Sequence, residues 1–138
     1  MFIMDNDIIE VKIYFRKSGH KYIAYTEKEF NKETTKEEDK KKYSVLNVKM
    51  YELSWDRYND LTENAWIEDS KGERQFSNKI YKENKMRKLI KEWDAKSKDD
   101  KPVPINEKSI GMMAPQLAES ILRAYDEIVL IGDEEEKK

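Results

Sequence analysis

The amino-acid sequence predicts an α+β fold, a small antiparallel N-terminal sheet followed by about three amphipathic helices. Three observations carry this expectation. In Ile8 to Arg16, and again in Val45 to Tyr51, large apolar residues alternate with polar ones, the repeat of a strand half buried against a core. From Ser54 onward the apolar residues recur at helical spacing instead. All β-prone segments precede the helical ones, so the order is not the β-α-β alternation of a parallel sheet. At 138 residues the chain has room for one core. The expected organisation is a single domain over 1–132, with a charged mobile insertion at about 27–42 and a charged tail at 133–138.

Taken in order, Ile9, Val11, Ile13 and Phe15 fall on one face of the first segment, and Glu10, Lys12, Tyr14 and Arg16 on the other. Lys17 to His20 supply turn chemistry around Gly19, and Lys21 to Thr26, with Tyr22, Ile23 and Tyr25, completes a hairpin. Glu27 to Lys42 hold six acids and six lysines, with Phe30 the only large apolar residue. Such a stretch is expected to bury no face and to form a mobile insertion or a frayed helix. Leu46, Val48 and Met50 then mark a third strand.

Ser54 is placed to cap the first helix, with Leu53 and Tyr58 at stapling positions. Trp55, Tyr58, Leu61, Thr62, Ala65 and Trp66 project onto one side of it, and Asp69 to Gly72 are expected to stop it. Phe76, Ser77 and Tyr81 repeat the cap and staple for a second helix presenting Met86, Leu89, Ile90 and Trp93. Pro102 and Pro104 force extended backbone around Val103, and Asn106 suits the cap of a short turn. Pro115 suits the first turn of the last helix and Gly132 its end. Leu117, Ile121, Leu122, Tyr125 and Ile128 form that helix's stripe, read as core or as a partner-binding face.

Composition narrows the function classes. Lys and Arg number 27 against 29 Asp and Glu, a net charge of −2, which argues against general affinity for polyanions. With no cysteine there are no disulfides, thiolate zinc sites or cysteine nucleophiles. The absence of a long apolar run and of a basic, apolar leader argues against a membrane span or a signal peptide, and points to the cytoplasm. His20, the single histidine, sits in a turn; Asp56 with Asp60, and Asp99 with Asp100, lack the glycine-bearing loop of a calcium site. No phosphate loop or nucleophile elbow is present, so no catalytic, metal or cofactor residue is assigned and an enzyme is not expected. The segment Glu73 to Glu92 has seven cations against three acids. Its basic face of Lys79, Lys82, Lys85 and Lys88 is read first as the solvated side of a helix and second as a phosphate-contacting surface. The three Trp are placed in the core.

The stretch from Leu46 to Ile128, about 60% of the chain, resembles small morphogenesis proteins of long-tailed bacteriophages, above all tail assembly chaperones. The resembling residues are L-S-W-D-R-Y-N-D-L-T-E-N-A at Leu53 to Ala65, K-L-I-K-E-W-D at Lys88 to Asp94, P-V-P-I-N-E-K-S-I at Pro102 to Ile110 and P-Q-L-A-E-S-I-L at Pro115 to Leu122. The charged insertion lies outside this stretch. The resemblance implies a non-enzymatic protein in the cytoplasm of the bacterial host that binds tape-measure and tail-tube subunits before assembly, without a cofactor. Two alternatives stand beside it: a permanent virion component at a tail, neck or baseplate joint, and a host-directed inhibitor or nucleic-acid-binding accessory. Self-association is a further expected use of the last apolar stripe.

Overall fold

A computed structural model describes residues 8–33, 41–97 and 99–136. The chain runs β1 (Ile8–Ser18), β2 (Lys21–Thr26), α1 (Glu27–Glu33), β3 (Ser44–Tyr51), α2 (Trp55–Glu63), β4 (Trp66–Glu68), β5 (Arg74–Phe76), α3 (Asn78–Leu89), β6 (Ile90–Trp93), α4 (Glu107–Gly111) and α5 (Pro115–Glu136). This is the expected α+β class, with an antiparallel N-terminal sheet and several helices. The main sheet has the order β2-β1-β3-β6, every pair antiparallel.

The predicted inward face of β1 is the observed one, with Val11 and Ile13 buried beside Leu46, Val48 and Met50 of β3. Gly19 carries φ of +65° at the first position of the two-residue β1–β2 loop, which a glycine adopts without strain. The long helix α5 lies against β1 and β2, and adds Ile121, Leu122, Ala124 and Tyr125 to the core. Met86 and Leu89 of α3, Leu61 of α2 and Ile110 of α4 close it. The Tyr125 hydroxyl donates to the Tyr51 carbonyl at 3.0 Å, so the one phenol in the core centre is satisfied.

Several expectations are corrected. Glu27–Glu33, expected to bury nothing, is a helix capped reciprocally: the Glu29 amide donates to Thr26 Oγ1 and the Thr26 amide to Glu29 Oε1. Phe30 is buried there, stacked on Tyr14 at 4.1 Å and edge-on to Tyr43 at 5.1 Å, on the sheet face opposite Ile13. Of the rest of the predicted insertion, 34–40 lies outside the described residues and Lys41 and Lys42 form a turn before β3. The helix begun at Ser54 ends at Glu63, because Asn64 turns the chain and Trp66–Glu68 pair with Arg74–Phe76 as a second, two-stranded sheet. Ile90 and Trp93 belong to a strand, not to α3, since pairing with Met50 and Val48 satisfies their backbone at the sheet edge. The backbone of α5 continues past Gly132 to Glu136, through residues assigned to a tail; glycine costs a helix about 1 kcal/mol and does not by itself end it.

The caps read from the sequence are present. Ser54 accepts from the Arg57 amide, Ser77 from the Ile80 amide, and Asn106 forms a capping box with Ser109. Phe76 and Tyr81 lie 5.7 Å apart, the expected staple of α3.

Candidate functional site

The stripe proposed for partners is mostly interior. Ile121 and Tyr125 have no solvent exposure, Leu122 is buried and Leu117 packs at the core margin; only Ile128, 47% exposed, stands free on the surface. The first four therefore fold the chain and offer little surface to a second protein, because α5 spends this face against the sheet.

The basic face is likewise largely spoken for. Lys85 is 7% exposed; it donates to Asp126 at 2.5 Å and lies over the Tyr81 and Tyr125 rings at 5.7 and 5.2 Å. Lys82 pairs with Glu119 at 3.3 Å, and Lys88 with Asp60, whose carboxyl that lysine holds below its usual range. Lys79 alone of the four has no ion pair among the described residues. Neighbouring carboxylates from α2 and α5 thus neutralise the charge that would have met phosphates, a pairing invisible in the local sequence. The same contacts commit Asp60 to Lys88 and Asn64, while Asp100 pairs with Lys96 at 3.6 Å. His20 is exposed in the β1–β2 turn. Among the described residues no three His, Asp or Glu side chains converge as a metal site.

What the fold does gather is aromatic surface. Trp55, at the first position of α2, is 75% exposed and stacks with Tyr58 at 6.3 Å. Trp66 and Phe76 are cross-strand partners in the β4–β5 ribbon, edge-to-face at 5.5 Å, and Phe76 continues to Tyr81 on α3. The Tyr81 phenol is pushed above its ordinary range by burial first, then by Asp126 and Tyr58. Arg74 lies over the Trp66 ring at 5.6 Å. Every residue of the ribbon is exposed, and its turn is built by Asp69, whose carboxylate accepts from the Lys71 and Glu73 amides and from Gln75 Nε2. Gly72 supplies the positive φ, +79°, that the turn needs.

An isolated two-stranded ribbon is marginal in water. One that displays Trp66, Ile67 and Phe76, each more than two-fifths exposed, holds apolar area that only another surface would remove from solvent. The sequence reading put Trp55 and Trp66 in the core because a 100° projection counts them on the stripe of Leu61 and Ala65. The signal that separates them is the asparagine cap and the D-S-K-G-E turn, which mark a hairpin between Trp66 and Phe76.

A second feature is an open groove of about 600 Å³ between one end of the main sheet and the segment leading into α5. Phe15, Trp93, Pro104, Met112, Met113 and Leu117 line it. Trp93 is fixed there by its indole N–H, which donates to the Val103 carbonyl at 2.8 Å.

Neither a protein-family model, nor a curated protein, nor a solved structure matches the chain. No helix among the described residues is long and apolar enough to cross a membrane.

Proposed function

We propose that the chain is a non-enzymatic binding protein of bacteriophage tail morphogenesis, which holds tape-measure or tail-tube subunits in the host cytoplasm before assembly. The observation that carries this reading is exposed aromatic surface, Trp55 with Tyr58 at the start of α2 and Trp66 with Phe76 on the β4–β5 ribbon. Trp and Tyr dominate the energetic centres of protein interfaces, because each removes a large rigid area from water at low entropic cost. Arg74, over the Trp66 ring at 5.6 Å, adds a third residue type of such centres. The phage assignment rests on the resemblance across Leu46 to Ile128, to which Trp55 and Trp66 contribute or lie adjacent.

Co-expression of the chain with the tape-measure and tube proteins of its own phage, followed by pull-down, tests the reading. Capture of either subunit, lost in W55A/W66A, is the expected result, and failure to capture both removes the proposal. Mass spectrometry of purified virions then distinguishes the assembly role from a permanent one: a chaperone is absent, a joint component persists.

A further inference from the structure

The groove beside α4 and the free end of α5 are complementary, and neither is used by the proposed aromatic binding face. Met112, 76% exposed, and Met113 give the groove a flexible apolar lining, which Trp93 and Pro104 share. Its polar lining offers little to a small polar ligand, since Asn106 and Ser109 are occupied in each other's capping box. The two charged residues that line it are both cations. Lys96 is shared with Asp100, and Lys108 has no carboxylate partner among the described residues.

At the other end of α5, Ile128 and Val129 are 47% and 37% exposed, and the sequence from Ile128 reads I-V-L-I-G-D-E-E-E-K-K, four acids against two lysines. Apolar residues followed by a net-acidic run match an apolar groove whose charged lining is Lys96 and Lys108. The helix cannot deliver this end to its own groove. Leu117 lines the groove, and the eleven residues from there to Ile128 carry the chain about 17 Å further along a continuous helix.

We infer that the C-terminal end of α5 docks in the groove of a second copy of this chain, Ile128 and Val129 against the methionines and the acidic run toward Lys96 and Lys108. If the exchange is reciprocal it closes a dimer; if not, it builds a chain of copies.

Light scattering on the full chain across a concentration series, repeated with I128D/V129D and with M112E, tests this. All three changes lie at exposed positions, and circular dichroism checks that each variant folds. Concentration-dependent association of the wild type is expected, lost at least tenfold in either variant, and partly recovered when the two are mixed, since one then supplies an intact groove and the other an intact tail. A wild type that is monomeric up to about 1 mM, an association that neither variant weakens, or a mixture that recovers nothing would each overturn the inference. Client capture by the aromatic face is read separately by pull-down, so either proposal can fail without the other.

Discussion

At Glu29 the carboxylate accepts from Arg123 Nε at 3.0 Å and Nη2 at 3.1 Å, tying α1 to α5. Its hydrogen bond to that guanidinium is the main reason its pKa lies below the ordinary 4.5, against a smaller opposing effect of burial. A carboxyl depressed in the folded state stabilises above its unfolded value, and that contribution is lost as pH falls through the folded one. Urea unfolding at pH 7 and below pH 4 should therefore show E29Q destabilised by up to about 1 kcal/mol at neutral pH and little different from wild type in acid. Tyr125 behaves oppositely. Burial, aided by Glu52, raises its phenol from 10 to about 12, so the unfolded chain gives up this proton first and stability should fall between those pH values. Tyr125→Phe should flatten that alkaline slope and cost about 1 kcal/mol at pH 7, the hydrogen bond to the Tyr51 carbonyl. In the Lys85–Asp126 pair the ammonium is buried and the carboxylate half exposed, so Asp126→Ala, which leaves the ammonium between two tyrosines without its counter-ion, should cost about 1 to 2 kcal/mol, whereas Lys85→Met should be near neutral.

The caps at Ser54, Ser77 and Asn106 were legible in the sequence because a cap is a local event, one side chain and an amide three residues on. Thr26 with Glu29 carries the same signature, but the charge-rich composition that follows masked it. The burial of Phe30 was not legible, since its partners Tyr14 and Tyr43 are supplied by other elements. The ribbon β4–β5 makes a sharper case. Its stability rests on the Asp69 turn and Gly72, so Gly72→Val, which forces a β-branched residue to φ of +79°, should loosen the ribbon by about 1 to 3 kcal/mol while α5 and the main sheet stay folded. Hydrogen exchange should show protection lost at 66–76 alone. In α3, the ion pairs of Lys82, Lys85 and Lys88 leave few cations for phosphates. Binding to DNA or RNA should be undetectable at physiological salt, and a steep salt-dependent affinity would count against this description of the basic face.

Across the whole molecule, the first three strands and the inward face of β1 and β3 followed from period-two alternation, whereas α1, the β4–β5 ribbon and β6 did not. Four residues after a helix carry too little pattern, and only their pairing with β3, forty or more residues earlier, makes them a strand. The same distance problem hid the exposed aromatic residues. Trp55, Tyr58, Trp66 and Phe76 come from a helix start and a ribbon, and their exposure is a property of where α2 ends, not of any stripe. Of the two readings of the α5 stripe, core or partner face, the core one holds, with Ile128 left outside it. Whether the exposed aromatic residues hold the proposed assembly partner is decided by calorimetric titration of the tape-measure or tail-tube protein into wild type and W55A/W66A. Loss of two aromatic anchors should weaken binding at least a hundredfold, about 2.7 kcal/mol, with the unfolding midpoint little changed; equal affinity for the two proteins would place the partner elsewhere and contradict the claim.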